Sequence, residues 1–253
     1  MDNNCSSQMQ ESLNRSSKIT MHAMQNIVDG ILKAFQLLIQ GDPEVIQITL
    51  LSLEVSGMAT LLSLTLGLPL GTFLAQVHFP TRRFWISLIN TGMALPPVVV
   101  GLVVSIFLWR SGPLGFLDLI YTPTAIVIAQ VLIAFPVATG LTVSALQQLD
   151  PRLRIQLLGL GASKIQMILT LWKEARLPLT AALIAAFGSV ISEVGASMMV
   201  GGNLEGSTRV LTTAIVLETS RGEFANAIAL SIILLGLAFL VNTALTALQQ
   251  RRK

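Results

Sequence analysis

The sequence has 253 residues, of which 53% are hydrophobic and 11% charged, with a net charge of +3. Soluble domains carry about 25% charged residues, and the mean hydropathy of +0.72 excludes an ordinary water-soluble fold. The small net charge gives no argument for a nucleic-acid partner. Long stretches without Asp, Glu, Lys or Arg match the roughly 20 residues per helix that a bilayer demands. The fold class is therefore an all-α integral membrane protein.

Residues 1–23 are polar and hold the lone Cys5. They contain no apolar run of the kind a cleavable signal needs, so the first spanning helix is expected to direct insertion. Over residues 24–41, apolar side chains recur at Met24, Ile27, Ile31, Phe35 and Leu38, with Asn26, Asp29, Lys33, Gln36 and Gln40 on other faces. This period is helical but too polar to span. It predicts an amphipathic helix lying along the membrane surface, or packed against the outside of the bundle.

Residues 42–253 form the transmembrane domain. Asp42-Pro43 supplies an N-cap and a first-turn proline for a span reaching about Ala75. Four more follow: Phe84–Trp109, Thr124–Leu146, Leu179 to about Val200, and Phe224–Leu248, making five transmembrane helices. Trp85 and Trp109 sit near the two ends of the second, as interfacial rings do. Pro69, the Pro96-Pro97 pair and Pro136 fall inside spans and predict kinks.

Basic residues set the orientation. One side holds ten: Arg82, Arg83, Arg152, Arg154, Lys164, Lys173, Arg176, Arg251, Arg252 and Lys253, with Asp150 and Glu174 as its acids. The other holds six: Arg15, Lys18, Lys33, Arg110, Arg209 and Arg221, with nine acids. The excess of Lys and Arg marks the cytoplasmic side, so the N-terminus is expected outside and the C-terminus inside.

Small residues crowd two spans: Gly67 and Gly71 form a GxxxG pair in the first, and Ala181, Ala182, Ala185, Ala186, Gly188, Ser189, Ser192, Gly195 and Ala196 line the fourth. They allow close helix approach, either within the chain or at a subunit interface around a shared pore.

The longest predicted cytoplasmic segment, 147–178, opens on Asp150-Pro151, which starts a short helix from Arg152 to about Leu160. Gly159 and Gly161 can end it, and Ala162–Arg176 can form a second helix. A short exposed helix ending at glycine is shaped to dock into a groove on a soluble partner. Gly161-Ala162-Ser163 and Leu177-Pro178 resemble the glycine core and Leu-Pro of the cytoplasmic loop of ABC importer permeases. The family's Glu-Ala-Ala triplet is replaced by Ile155, Gln156 and Leu157, and the Leu-Pro comes about one turn late.

The external segment 201–223 carries a second signature. From Ile191 the chain reads Ile-Ser-Glu-Val-Gly-Ala-Ser-Met-Met-Val-Gly-Gly-Asn, and it runs on through Thr208-Arg209 to Phe224. This stretch is similar to the fourth helix and external loop of tungstate-type ABC permeases. Gly202, Asn203, Gly206 and Thr208 are shared more loosely with molybdate and sulfate permeases. The resemblance spans roughly Asp42 to Asn242 and is densest from Gly159.

The resemblance implies the type I ABC importer permease fold. It also implies a homodimer, a cytoplasmic ATPase dimer, an external substrate-binding protein and alternating access that moves an oxyanion inward. ATP would be used by the partner, since no GxxxxGK[ST] occurs here, and no cofactor is expected on the chain. Arg152, Arg154, Gly159, Gly161, Ala162 and Ser163 fall in the ATPase-coupling segment. Ser189, Ser192, Glu193, Gly201, Gly202, Asn203, Thr208 and Arg209 fall on the gate and translocation path. Gly201–Gly206 can bend sharply, and Thr208–Thr219 is predicted to form a short helix with Val210, Leu211, Ala214, Ile215 and Leu217 on its apolar side.

Glu193 is the acid deepest in a span, with Glu54 shallower and free to snorkel. A carboxylate repels an oxyanion, so Glu193 is expected to accept hydrogen bonds that fix the fourth helix, to pair with a cation such as Arg209, or to act in gating. Ser189 and Ser192 share a helix face and can donate to an anion. The rival class, a membrane-embedded enzyme, lacks convergent titratable groups: the two histidines are His22 and His78, and no HExxH occurs.

Overall fold

The computed structural model describes residue 25 and residues 27–250. The polar segment 1–23 and the basic C-terminal residues 251–253 lie outside the described residues. Within them every regular element is helical. These are α1 (27–40), α2 (Pro43–Gln76), α3 (Arg82–Met93), α4 (Pro97–Leu108), α5 (Pro123–Gln147), α6 (Pro151–Gly159), α7 (Lys164–Glu174), α8 (Arg176–Ile191), α9 (Gly195–Gly201), α10 (Leu211–Ser220) and α11 (Phe224–Gln250).

Three helices start on the same local grammar. Asp42 accepts from the N–H groups of Glu44 and Val45 at 3.0 and 3.1 Å, ahead of Pro43. Thr122 accepts from Ala125 ahead of Pro123, and Asp150 from Arg152 ahead of Pro151. In each, a side-chain oxygen satisfies an orphan N–H, and proline fills a position whose N–H would have no partner.

Helices α2, α5 and α11 are long and apolar enough to cross a membrane, and up to five spans result if the bent pairs α3–α4 and α7–α8 each count as one. The second expected span, Phe84–Trp109, bends at its expected proline kink more sharply than a kink implies: the helix breaks between Met93 and Pro97 and turns by 100°. The Pro96-Pro97 pair is the cause, since proline disfavours α geometry in the residue before it and Pro97 restarts a helix at N1. The fourth expected span, Leu179–Val200, also divides, into α8 and α9. Leu177-Pro178 lies inside the first turn of α8, where a missing N–H costs nothing.

The centre of the bundle is α2 against α5 and α8. A Cβ on Gly67 would meet Ala138 Cβ at 3.0 Å, and one on Gly71 would meet Thr142 Cβ at 2.7 Å and the Thr139 carbonyl at 2.8 Å. The GxxxG pair thus serves a contact within the chain. Several buried hydroxyls are satisfied along their own helices: Thr60 donates to Ser56 O, Thr139 to Phe135 O and Thr142 to Ala138 O, each at 2.7 Å. Between helices, Gln130 Nε2 donates to Val190 O and Ser105 Oγ to Met199 O. In an apolar surrounding each such donor would be costly if left unmade.

Helix α1 packs on α11 through its small residues. Ala34 is buried, and a Cβ on Gly30 would stand 2.5 Å from Ile228 Cγ2. The stripe of Ile27, Ile31, Phe35 and Leu38 faces outward.

Candidate coupling and gate sites

Helix α2, 34 residues long and thus roughly 50 Å, separates two groups of predicted site residues. At its C-terminal end lie α6 and α7. Asp150 caps α6, and Gly161 at φ +74° turns the chain out of it. Ser163 then caps α7 in a reciprocal pair, its Oγ accepting from Gln166 N while its own N–H donates to Gln166 Oε1. This closes the hairpin that sequence grammar anticipates, although α7 begins at Lys164 and ends at Glu174, inside the expected limits. A turn at Ala175 bends it 75° from α8.

The hairpin is tied to the bundle by three contacts. Arg154 Nη1 donates to the Gln76 carbonyl at 3.0 Å, Trp172 Nε1 donates to Thr72 Oγ1 at 2.8 Å, and Met167, Leu171 and Ala175 bury against Leu146 with Ala75 beside them. Among the described residues nothing covers the outer face of α6. Arg152, Gly159 and Gly161 are exposed, Ala162 is half-buried, and Ile155 and Leu160 are 69% and 83% exposed. A rigidly mounted helix with uncovered Ile and Leu side chains, flanked by Arg152 and Arg154, offers an anchor-and-charge surface to a partner.

At the N-terminal end of α2 lie α9, α10 and the loop between them. Gly202, at φ +69°, ends α9, and a Cβ there would stand 2.8 Å from the Tyr121 ring. Asn203 also takes a left-handed conformation, φ +53°, and its Nδ2 reaches Thr213 O at 3.4 Å. Thr208 is fully buried: its hydroxyl donates to the Gly201 carbonyl and accepts from Leu204 N, pinning both ends of the glycine-rich turn. Gly206 is exposed, and its carbonyl accepts from Gln47 Nε2.

Helix α10 begins at Leu211, three residues later than expected, because Thr208 is committed to that turn. Val210, Leu211 and Ala214 are buried, and Leu211 and Ala214 pack with Ile48 of α2 and Leu230 and Ile233 of α11. Two hydrogen bonds fix its first turn: Leu211 N–H donates to Ser52 Oγ, and Thr212 Oγ1 donates to Glu193 O, both at 2.8 Å.

Glu193 stands at the break between α8 and α9 and is 6% exposed. Its Oε1 accepts from Ala196 N at 3.0 Å, and its Oε2 accepts from Ser197 N at 3.1 Å and Ser197 Oγ at 3.3 Å. Val194 has no side-chain oxygen to cap α9, so the neighbouring carboxylate does so, its charge favoured by the positive helix end. The pairing with Arg209 does not occur. Arg209 Nη1 instead meets Glu44 at 2.8 Å and Glu205 at 3.4 Å. Ser189 and Ser192 donate to Ala186 O and Gly188 O of their own helix, at 2.7 and 2.8 Å, so their hydroxyl hydrogens are engaged there.

The structure therefore brings Glu193, Gly201, Gly202, Asn203, Thr208 and Arg209 into one connected end, places Ser189 and Ser192 further along α8, and sets the coupling group at the far end of α2. Sequence reasoning missed Ser52, Tyr121 and Thr212, which hold the gate segment in place. Each lies in a largely apolar stretch with nothing local to mark it, and its partner is remote in the chain.

Residues 67–253 match the family described as binding-protein-dependent transport system inner membrane components. The chain is 41% identical, over 90% of its length and the whole of the relative, to a tungstate uptake system permease protein of Peptoclostridium acidaminophilum. It is 42% identical over 78% of its length, and 87% of the relative, to a probable anion ABC transporter permease protein of Haloferax volcanii. A molybdenum transport system permease protein of Escherichia coli is 30% identical over 79% of the chain and 90% of the relative. Among solved structures, a bacterial ABC transporter for alginate import aligns with TM-score 0.71 at 16% identity, covering 96% of this chain and 99% of that one. The inward-facing MetNI methionine transporter aligns with TM-score 0.68 at 15% identity, over 83% and 96%. The overall architecture is accordingly that of type I importer permeases, and the relatives are permease subunits rather than enzymes. The chain belongs to the family of binding-protein-dependent transport system inner membrane components.

Proposed function

We propose that this chain is the membrane permease through which tungstate enters the cytoplasm. The observation that carries the reading is the 41% identity with a tungstate uptake permease along that relative's entire length. Molybdate is the second reading, favoured by the E. coli relative at 30%. In the proposed assembly two copies stand side by side, with an ATPase dimer docked on α6 and an external binding protein delivering the anion at the α10 end.

The chain crosses the membrane five times, through α2, α3–α4, α5, α8–α9 and α11, with its N-terminus outside and its C-terminus inside. Contacts support this count. Helix α3 packs Ile89 beside Leu74 at one end, and the chain after α4 sets Trp109 edge-on to Tyr121 at the other. Helix α8 starts where Gln249 bonds Leu177 O, and α9 ends where Val200 O accepts from Tyr121. The outward stripe of α1 rests at the outer membrane surface. Alternating access moves α9 and α10 with the break at Ser192–Val194, and no basic side chain on these segments traps the anion midway.

A strain lacking this chain is expected to lose accumulation of tungstate at low external concentration while sulfate accumulation persists. Unchanged tungstate uptake would overturn the substrate reading. Loss of molybdate uptake alone would install the second.

A further inference from the structure

Beside α6 the groove between α2 and α7 opens into a cavity of about 530 Å³, whose walls include Pro69, Phe73, Gln76, Arg154, Lys164 and Trp172. The α2 residues fall at i, i+4 and i+7, one helix face, and polarity changes along it. Pro69 and Phe73 are exposed and lie toward the middle of α2, and Gln76 is the last residue of the helix. Roughly 10 Å separates the two ends of this gradient at 1.5 Å per residue. Trp172 lines the cavity with its indole N–H committed to Thr72, one residue from Phe73.

The polar end is supplied with donors and short of acceptors. Arg154 spends Nη1 on the Gln76 carbonyl, and the rest of its guanidinium N–H groups remain. Gln76 Nε2 is buried without a partner. Among the described residues no carboxylate lies within ion-pair distance of Arg154 or Lys164; the ion pairs there belong to Arg209 and Arg221, at the other end of the bundle. A hydrated inorganic anion would satisfy the cations and leave the apolar wall open to water. A molecule with a phosphate at one end and a hydrocarbon chain at the other satisfies both, and basic pockets between helices at the cytoplasmic face suit such headgroups.

We infer that this cavity is a binding site for an anionic phospholipid, its phosphate held by Arg154, Lys164 and Gln76 and its upper acyl chain laid on Phe73 and Trp172. Assignment to the cytoplasmic leaflet rests on the orientation proposed above; the binding itself does not.

The test uses the full chain with Trp85 and Trp109 changed to Phe, both being about half exposed, so that Trp172 is the remaining fluorophore. It is reconstituted in phosphatidylcholine nanodiscs with brominated phosphatidylglycerol or brominated phosphatidylcholine. Quenching by the anionic lipid is expected to half-saturate at a mole fraction at least about tenfold lower, the preference that two cations near a membrane surface sustain. K164Q, at an exposed position, should lower that preference severalfold, and R154Q/K164Q should remove it. Equal quenching by the two lipids, or a preference that survives the double change, overturns the site. So does loss of the preference in excess inorganic phosphate, which would make it a free-anion site, or on adding the partner ATPase, which would make it part of that interface. None of these readouts involves transport, so failure of the lipid site and failure of the permease reading are separately visible.

Discussion

Thr212 Oγ1 donates to the backbone carbonyl of Glu193 at 2.8 Å, joining the first turn of α10 to the break between α8 and α9. The same residue's carboxylate caps α9. One position thus holds three helix ends together. A movement of α9 must either carry α10 with it or break this bond, and the buried carbonyl makes breaking expensive.

Thr212→Val keeps the shape of the side chain and removes the donor. Leaving the buried Glu193 carbonyl unpaired is expected to cost about 1–3 kcal/mol, visible as a lower thermal unfolding midpoint of the detergent-purified protein and as reduced tungstate uptake. Thr212→Ser should restore both. A valine variant as stable and as active as the parent would show that α10 is held without this bond.

For Glu193 two substitutions separate capping from charge. Glu193→Ala removes both acceptors of the α9 N–H groups and is expected to destabilise by about 1–2 kcal/mol. Glu193→Gln keeps one carbonyl oxygen and loses the charge, so it should fall between alanine and the parent, with the apparent KM for tungstate unchanged. If instead glutamine shifted that KM strongly while leaving the unfolding midpoint alone, the carboxylate would be acting on the anion.

Much of the architecture is legible in the sequence because it rests on local rules. Asp42-Pro43 and Asp150-Pro151 announce helix starts, Gly161 and Gly202 announce turns, and three apolar runs are long enough to span. The breaks at 94–96 and 192–194 are harder to read. Mean apolarity is continuous across both: the Pro96-Pro97 pair points to a kink at the first but not to its 100° turn, and only Glu193 taken as a cap rather than a stray charge points to the second. Helix α1 is legible only in part: its large residues mark an apolar face, whereas the close contact with α11 is made by Gly30 and Ala34. The GxxxG pair leaves its partner undetermined, because Thr139 and Thr142 lie some 70 residues away and nothing local links them.

Docking on α6 is tested by exposed residues that have no part in the bundle. Leu160 is 83% exposed, and Leu160→Asp should abolish copurification with the ATPase and transport while leaving insertion normal. Gly161 has open space around it but takes φ +74°. Asn tolerates that conformation, so Gly161→Asn should retain coupling, whereas Gly161→Trp should block approach of the partner. Wild-type uptake by Leu160→Asp or Gly161→Trp would move the docking surface elsewhere.

Orientation is the remaining arrangement that a simple experiment decides. At the α6 end Arg82, Arg83, Arg152, Arg154, Lys164, Lys173 and Arg176 gather against Asp150 and Glu174, whereas at the α10 end Arg209 and Arg221 are each paired with glutamates. Lys and Arg counts near span ends, rather than net charge, decide which side stays in the cytoplasm, and the proposed orientation with α6 inside rests on them. Lys164 and Glu205 are both exposed and lie at opposite ends. In a Cys5→Ser background, Glu205→Cys should react with an impermeant maleimide in cells whose inner membrane is intact, and Lys164→Cys only after that membrane is permeabilised. The reverse pattern would turn the molecule over, place the Ile155–Leu160 surface beyond reach of any cytoplasmic ATPase, and remove the basis for coupling through α6.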